Sequence, residues 1–192
     1  IAKTLSKRYQ THFTKGNFNN HIGVPLTLLD LEEKHEVAVI EMGANHQKEI
    51  EFLCSIAQPS HGLITNIGKA HLDGFGGIEG VKKGKGELLD YLLENDGTFS
   101  YNIGDPNLVE LAAKINRKIG YGLKDSLQDD FYKIKLNSSA PFINIDLLDE
   151  NYKQHSLRTN IQGKYNAENI AAAIATGHYF KVSIDGILDA IG

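Results

Sequence analysis

The feature that most restricts how this chain folds is a repeated pairing: a short apolar run, then a longer segment with helical spacing. Val37-Ala38-Val39-Ile40 is a continuous run, mostly β-branched, typical of a strand buried on both faces. Ile50, Leu53, Cys54, Ile56 and Ala57 then recur at helical spacing, and Pro59 ends the pattern. Gly62-Leu63-Ile64-Thr65-Asn66 reads as a second buried strand. Val81 to Leu93 reads as a helix closed by Asn95-Asp96-Gly97, Thr98 to Tyr101 as a strand, Asn107 to Ile115 as a helix, and Lys118 to Tyr121 as a strand. Alternation at these lengths predicts an α/β fold: a mostly parallel sheet with helices on both faces.

The pattern changes after Lys124. Tyr132, Ile134 and Leu136 alternate with lysines, and Ile143, Ile145 and Leu147 alternate with polar residues. Tyr152 to Thr159 offers a third strand. These predict a small antiparallel β-sheet with one wet face. Helical spacing returns at Asn166 to Phe180 and at Ile184 to Ile191. The expected division is an α/β part over 1–124 and 161–192, with the small sheet over 125–160.

Composition narrows the function classes. Of the 192 residues, 41% are hydrophobic and 23% charged, enough to bury a core, and the net charge of -4 argues against a nucleic-acid partner. No apolar run approaches the roughly 20 residues a membrane span needs. Ile1 to Tyr9 is basic and amphipathic, without the apolar stretch of a signal peptide. The single Cys54 excludes an internal disulfide and a cysteine-built zinc site. Together these favour a cytosolic protein. Ile1 reads as mid-helix, and the expectation is a fragment of a longer protein.

Polar residues gather where the predicted strands end, the place where open α/β sheets bind ligands. Glu41 follows the first strand and Asn66 ends the second, with His71 and Asp73 five and seven residues later. An acid at a strand end beside phosphates suits Mg²⁺, and equally suits a solvated loop. His71 reads as a metal ligand with Asp73 as orienting partner, or as ordinary surface. Thr14 to Gly23 is rich in Asn and Gly, fitting either a donor-rich binding loop or a plain turn. Gly163 to Asn169 reads as a helix start with Asn166 as N-cap. Gly80 to Lys85 is not a phosphate loop: one residue too few separates the glycines, and Gly86 stands where a hydroxyl residue is needed. By composition its lysines form a solvated helix face.

Four segments, TKGNFNNHIGVPLTLL (14–29), VAVIEMGANHQKEI (37–50), ITNIGKAHLDGFGGIEGVKKGKGELL (64–89) and IQGKYNAENIAAAIA (161–175), together resemble the central domain of the Mur ligases. These are ATP-dependent amide ligases of peptidoglycan synthesis with a P-loop NTPase-like central domain. The first two segments resemble most the branch that joins D-alanyl-D-alanine to UDP-N-acetylmuramoyl-tripeptide. The resemblance implies Mg²⁺ and ATP as cofactors, and an acyl phosphate on the tripeptide carboxylate that the dipeptide amine attacks. It implies that Glu41 and His71 are metal-site residues, and that Lys85, fourteen residues after His71, is the lysine the family carbamylates. It places Asn66 and Asn169 near the nucleotide, and Thr14, Lys15, Asn17, Asn19, Asn20, Asn45 and His46 on loops facing the muramoyl-peptide.

One departure stands out. The family's GxxGKT loop is absent from the 192 residues, with the strand before it, and so are the family's N- and C-terminal domains. The expectation is therefore that this chain alone is inactive, and that the missing strand leaves a sheet edge open to self-pairing. Other Mur-type ligases, folylpolyglutamate synthase, and a non-catalytic module that lost its phosphate loop are the competing readings.

Overall fold

Strands joined through a helix return to the same end of a sheet, so apolar runs separated by helices pair in parallel. In the computed structural model, which describes residues 1–68, 72–123, 133–148 and 153–192, β1 (Thr11–Phe13) pairs in parallel with β2 (Val37–Val39), Thr11 opposite Val37 and Phe13 opposite Val39. β3 (His61–Ile64) pairs in parallel with β4 (Thr98–Asn102), and β5 (Lys118–Tyr121) lies on β4's other edge. The amides of Phe99 and Ile103 donate to the carbonyls of Arg117 and Tyr121, both at 2.9 Å. The residue offset is the same in both bonds, as parallel pairing requires.

The chain divides into two compact units. One comprises Gln10–Tyr101 with Asp105–Ile119. It holds β1 to β3 and β4 as far as Tyr101, with the helices α2 (Gly23–Leu29), α3 (Glu49–Ala57), α4 (Leu72–Phe75), α5 (Ile78–Glu94) and α6 (Pro106–Ala112). Phe99, Leu89, Leu92 and Leu108 form the centre of its main core, and Val24, Ile50, Leu53 and Cys54 a second cluster. Leu88 of α5 packs against both. A side chain at Gly62 would put its Cβ 2.7 Å from Leu92 Cδ1, so the missing side chain lets α5 lie directly on β3.

The expectation that Val37 to Ile40 is buried on both faces does not hold. Val37 and Val39 are half-buried and Ala38 is exposed. Among the described residues β2 has a strand partner on one edge only, which leaves this β-branched run less covered than its composition suggests.

The other unit comprises Ile1–Tyr9, Asn102–Gly104 and Gly120–Gly192. Here β6 (Lys133–Ser138), β7 (Asn144–Leu148) and β8 (Gln154–Arg158) form an antiparallel sheet in that order. Ile145 and Leu147 are fully buried while Lys135 is exposed, the one-wet-face pattern expected. Tyr132 and Tyr152, read as strand residues, lie outside the described residues. α7 (Asn166–Tyr179) buries Ile170, Ile174 and a run of alanines. α8 (Ile184–Ile191) starts on Ser183, whose hydroxyl accepts from the Gly186 amide. α1 (Ala2–Leu5) packs on both helices, and Tyr9 just beyond it donates its hydroxyl to the Phe180 carbonyl at 2.7 Å. Among the described residues no helix is long and apolar enough to cross a membrane.

Cys54 is fully buried, and burial, with the charge of Glu87 nearby, pushes its thiol up to about 12. Only thiolate alkylates, so at pH 8 iodoacetamide should modify native Cys54 about a thousandfold more slowly than the same residue in the urea-unfolded chain. Mass spectrometry of timed aliquots measures this directly. Comparable rates in both states would mean the α3 face opens readily.

Candidate functional site

Because β1 and β2 run in parallel and end level, the loops leaving them meet. The Thr14 amide donates to the Val39 carbonyl at 3.1 Å, extending the pairing one step beyond the strands. The Thr14 hydroxyl accepts from the Glu41 amide at 2.8 Å, and Asn19 Nδ2 donates to Glu41 Oε1 at 3.0 Å. The Gly43 amide donates to the Asn19 carbonyl at 2.7 Å. Thr14, Asn19 and Glu41 are therefore one hydrogen-bonded cluster, and the Glu41 carboxylate is exposed and held by an amide rather than a cation. Lys15 and Asn17 are exposed on the same loop. Asn20 is occupied differently: its Oδ1 accepts from the amides of Ile22 and Gly23, at 3.1 and 2.9 Å, and so caps α2.

Lys85 sits half-buried on α5 and donates Nζ to the Asn66 carbonyl at 2.7 Å. Burial lowers its pKa below the ordinary lysine value, while the carboxylate of Asp105 opposes that shift. Asp105 is also the N-cap of α6, accepting from the Asn107 amide at 3.0 Å, and its other oxygen accepts from the Ile67 amide at 3.0 Å. The loop after β3 is thus held from both sides, by Lys85 at Asn66 and by Asp105 at Ile67. The surrounding Lys-Gly stretch is helix, not loop. A Cβ at Gly84 would fall 2.3 Å from the ring of Phe75, and one at Gly80 1.7 Å from the Phe75 carbonyl oxygen, so these two glycines serve close packing rather than a phosphate loop. Lys82 pairs with Glu110.

Asn45 and His46 precede α3. Glu49 turns back to accept from their amides, at 2.6 and 3.2 Å, and the Asn45 bond first of all holds the Glu49 carboxyl below the usual range. In the other unit Asn169 donates to Asn166 Oδ1 at 2.9 Å. Asn166 is not the N-cap expected: it is the first residue of α7, and its side chain donates back to the Gln162 carbonyl at 2.8 Å. His71 lies outside the described residues. Among the described residues no three His, Cys, Asp or Glu side chains converge on a metal-sized space. The structure adds Asp105 and Glu87, to which the sequence reading gave no role.

A model of the Mur ligase middle domain matches residues 1–177. The chain is 36% identical over 183 residues to UDP-N-acetylmuramoyl-tripeptide--D-alanyl-D-alanine ligase of Bacillus subtilis, covering 95% of this chain and 38% of the relative. It is 35% identical over 191 residues to the ligase of that name from Escherichia coli, covering 99% and 41%. A crystal structure of MurF from Acinetobacter baumannii superposes with a TM-score of 0.83 at 32% identity, covering 99% of this chain and 41% of that one. The chain thus spans about two fifths of the length of the relatives it matches.

Proposed function

The chain belongs to the Mur ligase family through its middle domain, and from that membership we propose that it is part of an ATP-dependent ligase joining D-alanyl-D-alanine to UDP-N-acetylmuramoyl-tripeptide. The observation that carries this reading is similarity over nearly the whole chain to ligases of that specificity. In the proposed reaction the γ-phosphoryl group of ATP passes to the tripeptide carboxylate, giving an acyl phosphate and ADP. The dipeptide amine then attacks the acyl carbon, phosphate leaves, and an amide forms.

The residues have the chemistry this needs. Lys85 is half-buried with a lowered pKa, and only a neutral amine adds CO₂. The ammonium first loses one proton to give that amine; its addition to CO₂ forms an N–C bond and releases a second proton, so a cation becomes an anion with two oxygen donors. With the Glu41 carboxylate that makes a hard-oxygen set suited to Mg²⁺, with His71 as the third proposed ligand. When bound, the ion would offset charge on the reacting phosphates. Thr14 and Asn19 orient Glu41, and Asn66 stands beside Lys85 at the proposed nucleotide. Lys15, Asn17, Asn45 and His46 face the muramoyl-peptide in this reading, and Asn169 the adenine. Asn20 serves the same loop indirectly, as the cap of α2.

The test is phosphate release by the full-length polypeptide with ATP, Mg²⁺, UDP-linked tripeptide and D-alanyl-D-alanine. Release requiring both substrates is expected, and none from the 192-residue chain alone, which holds no GxxGKT segment. Turnover with a free diamino acid or glutamate in place of the dipeptide would assign another branch of these ligases.

A further inference from the structure

We propose that Glu87 is a positioning residue that fastens the loop carrying Asn45 and His46 to the helix carrying Lys85. The inference rests on the ligase reading for its consequence, but on geometry for the fastening. Glu87 follows Lys85 by two residues on α5. At 100° per residue their side chains leave the helix on opposite sides. Lys85 reaches the Asn66 carbonyl, whereas Glu87 reaches the N-terminus of α3.

That N-terminus lacks a cap of its own. Its N-cap is Lys48, in the left-handed region at φ 71°, with a cationic side chain that pairs with Glu51 instead. A cation is the wrong sign for the positive end of a helix, and the first amides need acceptors. Glu87 supplies them from another helix: Oε1 accepts from the Lys48 amide at 2.6 Å and Oε2 from the Glu51 amide at 3.1 Å. The residue is 7% exposed, so neither bond is readily replaced by water.

Two further ties converge on the same loop. Glu49 holds the amides of Asn45 and His46. Gln47 donates Nε2 to the Gly80 carbonyl of α5 at 2.7 Å. The loop is therefore bound to α5 at two points, Gly80 and Glu87, which flank Lys85 in sequence. The proposed substrate loop and the proposed carbamate lysine then move as one body.

Glu87→Gln keeps one acceptor and removes the second, leaving a donor facing the Glu51 amide. Amide hydrogen exchange on the 192-residue chain should rise at least tenfold at residues 45–51 and stay unchanged in β4 and β7. In the full-length ligase the KM for the UDP-linked tripeptide should rise about tenfold, with the KM for ATP within twofold of wild type. Glu87→Asp, which retains both acceptors on a shorter stem, should recover part of each effect. Unchanged exchange at Lys48 and Glu51, or exchange rising uniformly along the chain, would overturn the fastening. Local exchange with an unaltered peptide KM would overturn its link to substrate. A wild-type parent without turnover would strike the ligase reading alone, since the exchange data still decide the fastening.

Discussion

If the full-length protein is the proposed ligase, Lys85→Ala is expected to cut its amide formation by about a hundred- to a thousandfold, the scale of losing a main electrostatic group from a reacting centre. The melting temperature should stay within a few degrees. The two outcomes have one physical source. Lys85 is half-buried, and its ammonium is partly stripped of water while it donates to the Asn66 carbonyl. Burial lowers its pKa, against the pull of Asp105. A base whose folded pKa is depressed binds fewer protons folded than unfolded. Between that folded value and the ordinary lysine value of 10.5, stability therefore rises with pH, and below the window the buried charge costs stability. Removing the group removes that cost, so alanine is tolerated structurally while the chemistry is lost. Lys85→Arg separates charge from carbamate: a guanidinium keeps the cation but never becomes the neutral amine CO₂ needs, so it should be equally inactive. Activity above a tenth of wild type in either variant would remove Lys85 from the mechanism. Steady-state phosphate release and thermal melts across pH 7 to 10 provide both readouts.

How much of this was legible in the sequence depends on how far apart the partners lie. Most strands after residue 60 are readable because they carry their own apolar pattern; β8, with Leu157 as its one aliphatic residue, is placed by pairing with β7. β1 is not readable: Thr11-His12-Phe13 is three residues with no run, and becomes a strand only through parallel pairing with Val37 to Val39. Helical spacing is legible only from Val81, whereas α5 begins at Ile78, because Gly80 and Gly84 weaken a helical reading. Their cause is Phe75, packed where side chains would stand, and helix propensity carries no record of a tertiary contact. The cluster of Thr14, Asn19 and Glu41 could be sought because strand ends collect ligands. Asn20 looked identical in type and turned out to cap α2. Glu87 left one unread signal: an acid at a core-facing helical position, in line with Gly84, Leu88 and Tyr91. Its partners, Lys48 and Glu51, lie 39 and 36 residues away, beyond any local pattern.

Two glycines of α5 should respond to alanine with opposite signs. At Gly80 an added Cβ would stand 1.7 Å from the Phe75 carbonyl oxygen and 2.6 Å from its carbon. Both are backbone atoms, so no rotamer change relieves the overlap, and the connection between α4 and α5 must shift. Overpacking of side chains costs about 1–3 kcal/mol, and a backbone obstacle places Gly80→Ala at about 3 kcal/mol or above. For a chain of this size that lowers the melting temperature by roughly 10 °C. The Gly80 carbonyl also anchors Gln47, so amide exchange at residues 45–48 should rise with it. At Gly86 the nearest atom to an added Cβ is Leu111 Cδ2 at 3.7 Å, an ordinary van der Waals contact. There alanine costs no overlap and reduces the freedom of the unfolded chain, so Gly86→Ala should be neutral or stabilising by up to about 1 kcal/mol. Thermal denaturation of the two variants side by side separates helix propensity, which predicts a gain at both positions, from close approach, which predicts a gain only at Gly86. Equal melting temperatures would mean that the α4–α5 turn yields to accommodate a methyl group, and that Phe75 does not fix where α5 begins.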